Sequence, residues 1–77
     1  MSDIEVRIVE CLRPLLGDMA PVAVDMQKKK LGIGTLATAE DYKKLAIELK
    51  NMCEEMAGEV IANKIYKMIS EVIEEYS

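Results

Sequence analysis

The apolar residues of the C-terminal half recur at helical spacing but change direction at Gly58. Before Gly58 the apolar face consists of Tyr42, Leu45, Ala46, Leu49, Met52, Cys53, Met56 and Ala57. After it the face consists of Ile61, Ile65, Met68, Ile69, Val72, Ile73 and Tyr76. On a common helical wheel the second face is rotated by about 150° from the first. Either the chain breaks near Gly58, or one long helix meets different neighbours along its two halves. In both cases we expect each face to be covered by a separate contact.

A first helix is predicted at the N-terminus. Ser2 and Glu5 have the spacing of a capping box, and Gly17 is a natural stop. Pro14 removes a backbone donor near the end of this helix and predicts a kink or a distorted last turn. The apolar residues that share one face are Ile4, Ile8, Cys11, Leu12 and Leu15.

A second helix is predicted between Asp18, which can cap it, and Gly32, which ends it. Pro21 is tolerated because it falls in the first turn. This helix is apolar on two sides, and such helices are usually packed between neighbours. One side has Met19, Val22, Ala23 and Met26, and the other has Ala20, Val24 and Leu31.

The connection that follows contains Ile33 and Leu36, which we expect to point inward. Thr38 and Asp41 form a second capping signal at the start of the third helix. No segment alternates with a two-residue period, so no sheet is predicted. We therefore predict one all-α domain over residues 1–77. Its helices span about 3–16, 19–31, 39–57 and 59–76, in a small four-helix bundle whose last two helices are separate or continuous.

Composition narrows the class of protein. The chain is 51% hydrophobic and 31% charged, and no apolar run approaches the ~20 residues of a membrane helix. The N-terminus lacks the basic and apolar regions of a secretory signal, so we expect a cytoplasmic protein that does not bind membranes. The net charge is −4, with six acids against two lysines from Glu54 onward. This balance argues against nucleic acid as a partner.

The core must be built without Phe or Trp, from aliphatic residues and six methionines. A chain of 77 residues is near the lower limit for such a core. We therefore expect self-association, as a homodimer formed through the third and fourth helices, and an additional protein partner that the sequence does not identify. The interface candidates are Ile61, Ile65, Tyr66, Met68, Ile69, Val72, Ile73 and Tyr76.

Little in the sequence indicates catalysis. The chain has no His, which removes the usual general base and the Glu-x-x-His motif of di-iron bundles. We predict no enzyme activity, no metal site and no cofactor. Cys11 and Cys53 are interpreted as unbridged core thiols. The lysines and glycines of residues 28–35 close a helix rather than open one, so they indicate helix termination, with a docking patch for an acidic partner as the alternative.

The methionines have two interpretations. Met52 and Met56 lie one turn apart, and Met19 and Met26 share one face of the second helix. They can fill a core that lacks large aromatic residues, or they can line an adaptable binding groove. These four are the ligand-pocket candidates.

One stretch resembles the Leu–Gly-Pro-Ile-Ala-Pro–Val segment of small helical accessory domains at the ends of prokaryotic signalling proteins. The residues that carry the resemblance are Leu12, Pro14, Leu15, Leu16, Gly17, Asp18, Met19, Ala20, Pro21, Val22 and Ala23. Leu31, Gly32 and Ile33, and then Leu45 and Ala46, follow in a similar order, while Asp18 stands where that pattern has Pro. The resemblance implies an interaction or sensory module and no catalytic residues.

We therefore predict a non-catalytic protein–protein interaction or regulatory module. The alternative is a sensory domain that binds a small apolar ligand between helices, and a metal-dependent enzyme ranks third.

Overall fold

A computed structural model describes residues 3–76 of the chain. Helix α1 spans Asp3–Leu16, a 3₁₀ turn follows at Gly17–Met19, and α2 spans Ala20–Leu31. Helix α3 spans Ala39–Ala57 and α4 spans Glu59–Glu75. The all-helical prediction is confirmed for this part of the chain, which contains no strand. The predicted capping box of Ser2 lies outside the described residues.

Consecutive helices pack against each other, and α4 returns to α1. The contact between α3 and α4 is the most extensive. Ion pairs show that neighbours are antiparallel, because Arg7 near the start of α1 meets Glu75 at the end of α4, and Glu5 meets Lys28 at the end of α2. The centre is filled by fully enclosed aliphatic residues from α1, α3 and α4, including Ile8, Leu12, Leu45, Leu49 and Ile69.

The chain breaks at Gly58. Its backbone has φ 88° and ψ 173°, a conformation that essentially only glycine adopts. The Gly58 N–H donates to the carbonyl of Glu54 at 2.9 Å and so ends α3, while the Gly58 carbonyl accepts from Ala62 at 3.1 Å and so begins α4. The change of direction in the apolar pattern therefore separates two helices of a hairpin, each with its own face toward one core.

Thr38 and Asp41 confirm the second capping prediction. The Asp41 N–H donates to the Thr38 hydroxyl at 3.2 Å, and the Thr38 N–H donates to the Asp41 carboxylate at 2.9 Å. At the other end of the loop, Gly32 ends α2 in the left-handed conformation, with φ 71°. The N–H of Ile33 then donates to Lys28 at 2.9 Å, which completes a Schellman motif.

Two expectations about local structure are wrong. Asp18 does not cap α2, because a 3₁₀ turn occupies Gly17–Met19 and no side chain caps the helix that follows. The Asp18 carboxylate lies instead 3.7 Å from the Arg13 guanidinium. Leu36 does not point inward: it is 94% exposed, because Ile33 and Ala37 pack on the core while Leu36 lies in the turn between them.

Candidate functional site: a methionine-lined groove

An open groove of about 330 Å³ lies between the end of α1, the outer face of α2 and the last turns of α3. We call it the methionine groove. It brings together all four ligand-pocket candidates, which the chain separates by up to 37 positions (19 to 56). The lining residues are Leu15, Leu16, Met19, Val22, Ala23, Met26, Gln27, Met52 and Met56.

Helix α2 forms one wall of the groove because only one of its two apolar faces is covered. Ala20 and Val24 are buried in the core, where their small side chains allow α2 to approach its neighbours closely. The opposite face remains open to solvent, with Met26 60% exposed. Met19, the last residue of the preceding 3₁₀ turn, extends this face and is 59% exposed. The expectation that α2 is packed between neighbours on both sides therefore holds for one side only.

The other wall comes from the end of α3. Because α2 and α3 are antiparallel, the first turns of α2 lie beside the last turns of α3, and Met52 and Met56 face the same space as Met19. An ion pair between Lys30 and Glu48, at 3.3 Å, joins the two helices beyond the groove. Met52 is half-buried and Met56 is 59% exposed, so this wall is open to solvent at its outer end.

Gln27 is the one polar side chain that lines the groove. Its Oε1 atom is buried and has no hydrogen-bond partner among the described residues. No ionisable side chain lines the groove, so it can bind other molecules mainly by dispersion contacts and by release of water.

A second, smaller groove of about 280 Å³ lies on the other side of the α1 terminus, between α1 and α4. Leu15 lines both grooves, and Pro14 beside it lines the second. The last turn of α1 therefore forms a ridge between them, which we call the α1 ridge (Pro14 and Leu15). The second groove also has Ile61 and Met68 along its wall.

Seven of the eight predicted interface residues in and next to α4 fall into two groups. Ile65, Ile69, Val72 and Ile73 are buried in the core of the single chain. They cover the α1 and α3 faces, so they are not available to a second subunit in this fold. Ile61, Met68 and Tyr76 remain on the surface, with exposures of 43%, 45% and 49%.

Tyr66, the remaining interface candidate, is half-buried against the core. Its ring lies 5.4 Å from the Lys50 amino group, within the range of a cation–π contact. The ring also lines a cavity of about 420 Å³ between α3 and α4, together with Ile47 and charged residues such as Lys43 and Lys44. Tyr76 makes a longer contact of the same kind with Arg7, at 6.0 Å.

The lysines at the end of α2 are each paired with a carboxylate. Lys28 pairs with Glu5. Lys29 lies 3.1 Å from Asp25, and Lys30 pairs with Glu48. These contacts and the left-handed Gly32 favour helix termination over a docking patch for an acidic partner.

Cys11 and Cys53 are buried and unbridged, as predicted. Burial raises the pKa of the Cys53 thiol above its ordinary value. Burial also raises the pKa of Cys11, and the nearby Arg7 offsets part of that shift. Both sulfurs therefore favour the neutral thiol, which is a poor nucleophile.

Within residues 3–76, no three Cys, Asp or Glu side chains are grouped so that they could hold a metal ion. None of the helices in this part of the chain is both long enough and apolar enough to cross a membrane.

No family model, curated protein or solved structure matches the chain. The resemblance to signalling accessory domains therefore stays a prediction.

Sequence reasoning missed several residues of the methionine groove: Leu15, Leu16, Val22, Ala23 and Gln27. Val22 and Ala23 share the face of Met19 and Met26, so their spacing could have identified them. The sequence pattern places Leu15 on the core side of α1. The sequence has no signal that places Gln27 there, because a glutamine beside three lysines is typical of an exposed helix end.

Proposed function

We propose that this protein is a non-catalytic protein–protein interaction module, and that its methionine groove receives an apolar segment of another protein chain. The observation that supports this most is the convergence of Met19, Met26, Met52 and Met56 on one open groove. Met19, Met26 and Met56 are exposed in this fold, and a partner can cover them without rearrangement of the helices.

Methionine suits such a surface. Its unbranched thioether side chain adapts to partners of different shape and is used at promiscuous binding grooves. An amphipathic helix presents apolar residues at i, i+3, i+4 and i+7, and it can place them along an apolar groove between helices. The absence of charge along the lining means that a partner loses no paired ions on docking.

The same groove supports a second candidate function, the binding of a small apolar ligand. Its volume of about 330 Å³ falls at the lower end of the usual range for ligand pockets. However, such pockets generally bury most of the ligand surface. Met19, Met26 and Met56 are each more than half exposed, so this groove is open along its outer side. We therefore rank a protein segment above a small ligand.

The proposal extends to the cellular role. The module is a four-helix bundle that acts in the cytoplasm as a regulatory or adaptor unit of a prokaryotic signalling system. Support comes from the resemblance of residues 12–23 to accessory domains, from the absence of His, and from the acidic surface. Self-association belongs to the same proposal, and its support is the exposed apolar surface of a very small domain.

The test uses chain labelled with ¹³C at the methionine methyl groups. It is titrated separately with a synthetic amphipathic helix that has leucines on one face and with decanol. We expect the helix to shift the methyl signals of Met19, Met26, Met52 and Met56. Met68, which lies across the α1 ridge, is the internal reference and shifts less. Met26→Glu should abolish the response, while Ile47→Glu, at a 48% exposed site on another face, should preserve it.

The two candidate functions give different results in this titration. Shifts caused by decanol but not by the helix would favour the small-ligand function and contradict the proposal. Shifts at Met68 alone, or no shift at any groove methyl, would also contradict it, because Met-rich grooves bind model helices with little selectivity.

A further inference from the structure

We infer that the cavity between α3 and α4 is a second binding site, and that it takes a small organic acid with an aromatic or branched apolar body. We call this cavity the α3–α4 cleft. Its volume of about 420 Å³ lies within the range of about 300–1,000 Å³ that is usual for ligand pockets. It shares no lining residue with the methionine groove, so the two sites can be tested independently.

One end of the cleft is apolar. Its wall is formed by Ile47 and by the ring of Tyr66, and Ala46 and Ile73 lie at its bottom, where the core buries them. Tyr66 is half-buried against the core, so its ring is held in place while part of it is accessible from the cleft. Such a ring pairs favourably with a second aromatic ring, and the aliphatic neighbours suit a branched alkyl group. This end therefore fits the apolar body of a small molecule.

The other end of the cleft is polar, because the early turns of α3 lie beside the last turns of α4. It brings Lys43 and Lys44 of α3 next to Ser70 and Glu74 of α4. Lys43 lies 3.5 Å from Glu40, so its charge is already balanced. Lys44 forms no ion pair with any residue that the structure describes. A carboxylate placed at this end meets an uncommitted cation and a hydroxyl that can donate to it, and hydrogen bonds with ionised partners are the strong ones.

The local balance of charge favours an acid over an amine. Three lysines lie in or beside the cleft, Lys43, Lys44 and Lys50, against the two glutamates Glu40 and Glu74. This is a local excess of positive charge in a chain whose net charge is −4. The carboxylate of Glu74 opposes an anion at the polar end, so its removal should have the opposite effect to the removal of the Lys44 charge.

The experiment titrates the full chain, labelled with ¹⁵N, with 3-phenylpropionate, 3-phenylpropanol and 3-phenylpropylamine. These probes share one aromatic body and differ in the charge of the head group. We expect 3-phenylpropionate to cause saturable shifts of the amide signals of Lys44, Ile47 and Ser70. It should bind more tightly than the alcohol, and the amine should bind most weakly.

Two exposed charges test the polar end in opposite directions. Lys44→Gln should weaken the binding of 3-phenylpropionate by up to about fivefold, the range of an exposed ion pair. Glu74→Gln should tighten it by a similar factor, because the like charge is removed. Both side chains are exposed, so circular dichroism should show that both variants fold like wild type. Neither substitution should change the affinity for the alcohol.

Two further variants test the place of binding. Ile47→Glu should abolish the binding of 3-phenylpropionate, because it puts a carboxylate at the apolar end. Met26→Glu, on the methionine groove, is the matched control and should leave the affinity unchanged. Loss of binding in Met26→Glu alone would place the acid in the methionine groove and overturn the inference.

Three results of the titration itself would also overturn the inference. They are equal affinities for the acid and the alcohol, tighter binding of the amine, and no saturable shift of the cleft amides with the acid. None of them bears on the response of the groove methyls to the model helix, which tests the proposed function separately.

Discussion

The apolar face of α4 and the methionine face of α2 differ in what covers them. Both have apolar residues at helical spacing. On α4, Ile69 is fully enclosed, and Ile65, Val72 and Ile73 are buried around it by α1 and α3. At α2, Met26 and Met19 of the preceding 3₁₀ turn are each about 60% exposed although they lie beside the core residues Ala20 and Val24.

This difference shows what periodicity reports and what it leaves open. A repeat of apolar residues indicates that a helix face is to be shielded from water, but it does not indicate whether the shield is the same chain or another one. In this chain, β-branched residues are concentrated on the covered face of α4, whereas the open face of α2 and α3 is rich in methionine. Stiff β-branched side chains suit a fixed core, and flexible methionine side chains suit a surface that binds a partner reversibly.

The largest predicted effect is on stability at the covered face. Ile69→Ala should lower the free energy of unfolding by about 2–5 kcal/mol, because the enclosed site cannot collapse fully. Met26→Ala should change it by no more than about 0.5 kcal/mol at concentrations where the chain is monomeric. Urea unfolding of both variants measures the difference. Equal losses at the two sites would mean that the methionine face belongs to the core.

The next effect concerns the break between the two apolar faces of the C-terminal half. Gly58→Ala should destabilise the chain by about 1–3 kcal/mol, because the backbone at this position is in a region restricted to glycine. No atom crowds the added methyl group, so the cost is conformational. Gly34→Ala is the control: its site is equally open and lacks the positive φ, so thermal unfolding should be nearly unchanged. A neutral Gly58→Ala would favour a continuous α3–α4 helix.

A third effect concerns the buried thiol of Cys53. Burial raises the folded-state pKa of Cys53, so the stability linked to this thiol is complete below pH 9.0, its ordinary value, and is lost as the pH rises through the folded value. Unfolding midpoints should therefore fall in strongly alkaline solution, and Cys53→Ala should reduce that dependence. A thiol that reacts with iodoacetamide in the native chain as fast as free cysteine would contradict the burial of Cys53.

The smallest effect is expected at the exposed ion pair that joins α1 to α4. The Arg7 guanidinium donates a hydrogen bond to Glu75, and this lowers the pKa of the carboxyl below its ordinary value of 4.5. The contribution of the pair is therefore present above pH 4.5 and is lost as the pH falls through the lowered value. Since both groups are exposed, we expect a small change. Acid unfolding of wild type and of Glu75→Gln, followed by NMR, should show this small difference in stability. Identical acid unfolding of the two chains would mean that the ion pair does not contribute to stability.

Much of the fold could be predicted because local signals agree with the helical period. Thr38 with Asp41, Gly32 and Gly58 each mark a helix end through backbone chemistry that depends on only a few neighbouring residues. The prediction for Asp18 failed because Gly17 allows a 3₁₀ turn, and such a turn satisfies backbone groups without a side-chain cap. Leu36 failed because an apolar residue in a short loop need not reach the core when Ile33 and Ala37 already do.

The candidate site could be predicted only in part. The spacing of Met19 with Met26, and of Met52 with Met56, identified two apolar pairs on separate helices. Their convergence depends on the antiparallel packing of α2 and α3, which no local pattern specifies. The prediction of an interface on α4 has a related cause. The spacing of Ile69 and Ile73 indicates a face that is shielded from water, but it does not indicate that α1 and α3 of the same chain shield it.

The methionine face is open in the single chain, and we propose that a protein partner closes it. Both the openness and its closure are tested most directly by the rate at which hydrogen peroxide oxidises each methionine, measured by mass spectrometry in dilute and in concentrated protein. We expect Met19, Met26 and Met56 to be oxidised faster than Met52 in dilute protein, and to become protected at high concentration or with the model helix, while Met68 changes less. Slow oxidation of all four groove methionines in dilute protein, or no protection by either partner, would contradict the account.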